Sequence, residues 1–191
     1  VVVGNTGATV TGQGGSEIVI PAGAVTNPKA VTIKKIETHE ITTTLPSGFE
    51  VLGAVDISLS GAKLTKPAQL SLLLTESVTI GDSTLVLARL KKSGIELTWF
   101  MQSCCIIEAD IIKTREETLL PLEGVRQGGT FLFLKSISPS GFVKGDITFE
   151  SQALDSALVS LDKHELRSES LSNGSYANTV PQGTFNIEAK R

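Results

Sequence analysis

No apolar run in this chain approaches the roughly 18 residues that a membrane-spanning helix needs, so this stretch is not expected to insert into a membrane. Blocks of basic charge are also missing: 17 Lys and Arg stand against 20 Asp and Glu, for a net charge of −3. Nucleic-acid binding rests on clustered cations that neutralise phosphates, so nucleic acid is not an expected partner. Aromatic residues make up only 5% of the chain, which leaves little material for stacking platforms. No sustained apolar stripe of helical period occurs, which argues against long amphipathic helices.

Cysteine is scarce, and its spacing excludes more. Cys104 and Cys105 are adjacent. Their Cα atoms lie about 3.8 Å apart across a trans peptide, below the roughly 4.4 Å at which disulfide geometry begins. In a strand they would face opposite sides, so at most one is expected in a core. Neither C-x-x-C spacing nor a neighbouring His supports zinc or redox chemistry. Two reduced thiols are the expectation.

What is present is punctuation. Eighteen Gly and seven Pro separate short runs rich in Val, Ile, Thr and Leu, the composition of an all-β protein. Ser16–Val25 sets the pattern: Ile18 and Ile20 alternate with Glu17 and Val19, and Pro21-Ala22-Gly23-Ala24 then closes the strand. Gly12-Gln13-Gly14-Gly15 superficially resembles a phosphate loop. No helix follows it, so it reads as a hairpin turn. The next strands are Ala30–Ile36, with Val31 and Ile33 inward, and a half-buried strand carrying Val55, Ile57 and Leu59. Pro67 is expected to turn the chain before Leu70, Leu72 and Leu74. Leu85–Leu90 and Ile95–Phe100 flank the loop Lys91-Lys92-Ser93-Gly94, with Leu97 and the core aromatic Trp99 on one face. Cys104–Ile112 reads as a further strand, Lys113–Leu120 as a loop or helical turn, and Thr130–Leu134 as a final strand.

Ser136–Gly141 has linker chemistry and divides the chain into expected units 1–137 and 138–191. In the second unit Val143, Gly145, Ile147 and Phe149 alternate, as do Ala157, Val159 and Leu161. Asn173-Gly174 forms a tight turn. Phe185, Ile187 and Ala189 share one face of a last strand.

The first unit resembles the ZU-five domain family, in the looser form found in bacterial surface proteins. The carrying residues are Pro21-Ala22-Gly23-Ala24, Leu45-Pro46-Ser47-Gly48, Val55–Leu59 running into Gly61, and Pro67-Ala68, which together cover Val1–Ser77. The resemblance implies a β-sandwich. Some members cleave themselves at His-Phe-Ser, where a Ser hydroxyl attacks the preceding carbonyl; here His39 and His164 are each followed by Glu, and Phe100-Met101-Gln102-Ser103 is a poor substitute. The second unit is similar to the carboxypeptidase regulatory-like, transthyretin-type sandwich. Gly145-Asp146-Ile147, Ser156-Ala157-Leu158-Val159, Asn173-Gly174-Ser175-Tyr176 and Val180–Phe185 carry that likeness over Gly141–Arg191. The family usually has a further strand or two, so the unit is expected to be short or incomplete. It is expected to pack on the first or continue in a longer chain.

No catalytic, cofactor-binding or metal-ligating residue is assigned from the sequence. His39 and His164 read as surface residues, and H-E-x-x-H fails because Ser168 holds the second His position. Asp146, Asp155 and Asp162 could reach one calcium ion but read as solvated turn residues. Asn173-Gly174-Ser175 fits a glycosylation pattern that its turn already explains. The expectation is two consecutive antiparallel β-sandwich modules of an extracytoplasmic or cell-surface protein, non-enzymatic and without a cofactor. Its partners would be neighbouring domains of a longer chain or another protein. A carbohydrate- or ligand-binding module is the alternative, with Phe49, Phe142 and Tyr176 as the candidate exposed aromatics; self-cleavage is the least favoured.

Overall fold

The computed structural model describes residues 1–93, 96–115, 120–162 and 164–190. The first strands are β1 (Val2–Val3), β2 (Ala8–Thr11), β3 (Ser16–Ile20), β4 (Lys29–Ala30), β5 (Thr32–Ile36), β6 (Phe49–Ser58) and β7 (Lys63–Leu73). Next come β8 (Leu85–Ser93), β9 (Glu96–Glu108), β10 (Ile111–Thr114), β11 (Val125–Gln127) and β12 (Gly129–Ser136). The last are β13 (Ser140–Asp146), β14 (Thr148–Phe149), β15 (Gln152–Ala153), β16 (Leu158–Leu161), β17 (His164–Glu169), β18 (Ser175–Pro181) and β19 (Ile187–Lys190). The protein is an all-β antiparallel sandwich; its helical content among the described residues is two short 3₁₀ turns.

The first 136 residues form two facing sheets. One runs β2-β3-β7-β10 and the other β5-β6-β12-β8, and β9 belongs to both. Residues Glu96–Cys104 of β9 pair with β8, and Cys105–Glu108 pair with β10. Between the sheets Ile18, Leu70, Leu72, Val55, Ile57, Phe131, Phe133, Leu87 and Ile112 form a shared core. Period-2 alternation builds it: β3 buries Ser16, Ile18 and Ile20 while Glu17 and Val19 stay half-exposed. Gly23 takes φ +76°, a conformation costly for residues with a Cβ, and its N–H donates to the Asn5 carbonyl at 2.8 Å. The Gln13–Gly15 turn joins β2 to β3 in an antiparallel hairpin, as its sequence implies.

A second apolar cluster covers the opposite face of the β6-β12-β8-β9 sheet. It contains Ala54, Val86, Ala88, Trp99, Met101, Cys104, Leu132 and Leu134, together with Leu166 from β17. The central strand β12 is therefore buried on both faces, with Phe131, Leu132, Phe133 and Leu134 all at 0% exposure. Ile41, Leu45 and Phe49 close the cluster from the loop before β6 and from its first residue.

Several expectations are corrected. Pro67 does not turn the chain but lies within β7, where the β7–β11 register shifts between the partners of Val125 and Gln127. A proline without an N–H is tolerated at such an irregularity. Ile95–Phe100 and Cys104–Ile112 are not separate strands: β9 runs unbroken through Glu108 and turns at Ala109 into β10. Both cysteines are buried, because β9 has apolar cover on each face: Cys105 joins the first cluster and Cys104 the second. Phe149 is 60% exposed on the β14–β15 hairpin, and Leu97, two residues from buried Trp99, is 51% exposed. Every residue of β19 is exposed, Ile187 and Ala189 included. Lys91–Ser93, expected in a loop, continue β8 and pair with Glu96–Thr98 of β9, and Lys113 and Thr114, expected in a loop or helical turn, belong to β10. Gly94 and residues 116–119 of those two expectations lie outside the described ones.

Burial pushes the Cys105 thiol well above its ordinary range, with neighbouring Cys104 adding to the shift. A thiol held protonated in the fold but free to ionise when unfolded contributes stability below about pH 8.5 and loses it as pH rises further. Chemical denaturation between pH 8 and 10 is expected to show stability falling by up to about 1.4 kcal/mol per pH unit from this group. Cys105→Ala should flatten that alkaline slope, although it lowers stability at neutral pH.

Candidate functional site

Thr84, Ser136, Ser168, Ser170, Asn178 and Thr179, all buried polar residues, lie where residues 140–190 meet the earlier strands. Contact begins with a single parallel bridge, Arg167 opposite Phe100, which places β17 beside β9; β16 and β19 extend the sheet beyond it. β13 and β18 pair separately over seven residues. Tyr176 lies opposite Gly145, and its ring stands about where a Cβ on Gly145 would contact it, at 3.0 Å. Asn178, fully buried, donates Nδ2–H to the Leu166 carbonyl at 3.0 Å and so links β18 to β17.

The expected linker is held by hydroxyls. Ser136 and Ser140 lie 2.6 Å apart through their Oγ atoms, and Thr84 Oγ1 lies 2.8 Å from Ser140 Oγ and 3.0 Å from Thr179 Oγ1. The Thr84 N–H donates to Ser136 Oγ at 2.9 Å. Thr84 and Thr179 are 95 positions apart in sequence. Both are buried, as is Ser136, where a mutually satisfied network is rigid and an unmatched hydroxyl is costly.

A cleft of about 520 Å³ opens between β7, β8, β11 and the 155–172 region. Its two lysines are paired with carboxylates. Lys91 Nζ stands 2.5 Å from Glu169 Oε2 and 3.7 Å from Glu123 Oε2, and Lys63 Nζ lies 3.2 Å from Glu123 Oε1. Lys91 also lies 5.2 Å from the centroid of the Phe100 ring, within cation–π range. Beside this group, Arg89 donates to Gln127 Oε1 at 3.0 Å while its Nε is buried without a partner. Burial lowers the Arg89 pKa, partly offset by Glu123 and Glu169. Ser170, also lining the cleft, is engaged as a strut: its Oγ donates to the Leu154 carbonyl and accepts from the Ala157 N–H. This arrangement fastens two parts of the chain together.

The residues singled out in the sequence are not brought to one place. His39 is exposed in the 3₁₀ turn Thr38–Glu40, and His164 starts β17. Ser103 lies beside a bulge in the β8–β9 pairing and donates its hydroxyl to the Cys104 carbonyl at 3.1 Å. Asp162 accepts from Asn186 N–H and Nδ2–H at 2.7 and 2.9 Å, while Asp155 lines the charged cleft. Asn173 Oδ1 accepts from the Ser175 N–H and hydroxyl within its turn. Among the described residues, no group of three or more His, Cys, Asp or Glu side chains comes together as a metal site. The candidate aromatics form no exposed platform: Tyr176 is buried, Phe49 is half-buried against the second cluster, and Phe142 is 39% exposed. The inter-segment contacts had no local signature, because each depends on residues far apart in the chain.

No protein-family model matches the chain, and no curated protein matches it. Among the described residues, no helix is long and apolar enough to cross a membrane.

Proposed function

We propose that this chain is a non-enzymatic structural and interaction module of an extracytoplasmic or cell-surface protein, spacing or docking other domains. In this reading a ZU-five-like sandwich over 1–137 is followed by a carboxypeptidase regulatory-like unit over 138–191. The observation that carries it is the hydroxyl network of Thr84, Ser136, Ser140 and Thr179, which fixes the crossing from one unit to the next. A spacer must hold its two ends at a defined separation, and the paired charges of Lys91, Glu123 and Glu169 serve the same end. A buried polar network whose members satisfy one another is rigid.

Spin labels placed on exposed Thr32 and Lys144 through T32C and K144C would measure that rigidity in the full chain. The native thiols are buried and should stay unlabelled. A single narrow distance distribution is expected. A broad distribution, with the protein still folded, would reject the spacer reading.

A further inference from the structure

A second cleft on the same seam differs from the charged one in what it leaves unmatched. It measures about 660 Å³ and is walled by Thr43, Thr44 and Ser47 on one side and by Leu97–Trp99 on the other. Ser160, Leu161, Glu165 and Arg167 complete it. The volume falls within the roughly 300–1,000 Å³ of small-molecule sites.

Arg167, half-buried, has no ion pair or side-chain hydrogen bond among the described residues. Every lysine of the charged cleft has its carboxylate. Glu165 is held through Oε2, which accepts from the Ser47 N–H at 2.8 Å; no protein donor among the described residues reaches its Oε1. The hydroxyls of Thr43, Thr44, Thr98 and Ser160 likewise make no hydrogen bond to described protein groups. Leu97 supplies a half-exposed apolar surface beside them.

These groups restrict the ligand. Arg167 calls for an anion, since a planar guanidinium matches a carboxylate through two N–H donors. Ionised Glu165 only accepts, so it calls for hydroxyl donors and repels a compact polyanion such as phosphate. Residues two apart on a strand share a face and are separated by roughly 6.7 Å. The ligand must therefore carry at least one carboxylate and, about a ring's width away, hydroxyl donors. It must also offer an apolar C–H face to Leu97.

We infer that this cleft binds a short acidic saccharide, with Arg167 on a uronate carboxylate, Glu165 on ring hydroxyls and Leu97 under the ring. The inference goes beyond the spacer reading, and its failure would leave that reading intact. A ligand seated here would touch both segments and tighten the seam.

Isothermal titration of the full chain with trigalacturonate, and separately with maltotriose, tests it. Trigalacturonate is expected to bind at least about tenfold more tightly than neutral maltotriose. Raising salt from 0.1 to 0.5 M should narrow that gap, and Arg167→Gln should abolish it. Leu97→Ser, at an exposed position, should weaken both sugars a few-fold without lowering the melting temperature. Equal affinity for the two sugars, no measurable heat with millimolar trigalacturonate, or an unchanged preference in a folded Arg167→Gln protein would overturn the inference. Should that variant fail to fold, the salt titration of the unaltered chain decides: an acid preference indifferent to salt would also overturn it.

Discussion

Phe133→Ala and Leu132→Ala, at adjacent positions of β12, should each destabilise the protein by several kcal/mol. In an ordinary half-buried strand, neighbouring side chains face opposite ways and only one of such a pair would matter. Here both are at 0% exposure. Phe133 belongs to the core between the sheets, and Leu132 to the cluster that Leu166 helps close. Truncating a buried Phe costs about 3–5 kcal/mol, and a buried Leu about 2–5, through lost transfer energy and the cavity left behind. Urea titration of the two variants reads this directly. A Leu132→Ala loss below about 1 kcal/mol would mean that the outer face of the sheet is not covered in solution.

The second large effect is expected at Leu166→Ala. Leu166 is fully buried and, among the described residues, is the one beyond position 140 among the buried members of the second cluster. Its backbone carbonyl also accepts from Asn178 Nδ2, so β17 is held from two sides. Removing its side chain opens a cavity in the cluster that holds Trp99 and Met101, with an expected cost of about 2–5 kcal/mol. The readout that separates docking from simple core loss is cooperativity. The variant should lose its sharp single transition, because Leu166 is the β17 side chain buried in the shared cluster and the ladder between β17 and β9 is one parallel bridge. A variant that unfolds as cooperatively as the unaltered chain, with little loss of stability, would contradict this role.

The first sandwich was legible in its sequence to the extent that its strands are half-buried. Ile18 and Ile20, Val31 and Ile33, and Leu70 and Leu72 point inward as their alternation implies. Legibility failed where burial depends on a second layer. The run Thr130–Leu134 marks a strand, but nothing local shows that a later segment will cover Leu132 and Leu134. The same double cover explains why both cysteines are buried.

Beyond residue 140 the alternation of Ala157, Val159 and Leu161 was informative, and that of Ile147 with Phe149 was not. A two-residue strand at a hairpin tip has no facing layer, so its apolar side chain stays in solvent. The polar seam was invisible for another reason. Ser136–Gly141 carries linker composition, yet Thr84 and Thr179, remote in sequence, turn those serines into a fixed joint. Arg167 likewise has no motif around it; its interest comes from what the fold leaves unpaired.

Residues 140–190 and the preceding sandwich are expected to unfold as one cooperative structure. Trp99, the only tryptophan, sits in the shared cluster with Leu166, and its Nε1–H donates to the Thr44 carbonyl at 2.9 Å. Urea unfolding of the intact chain, followed by Trp99 fluorescence and by amide hydrogen exchange, tests the claim most directly. Coincident transitions are expected, with the β17 and β18 amides protected to nearly the same free energy as those of β12. Exchange of β17 and β18 at low urea, with Trp99 emission still native, would contradict it.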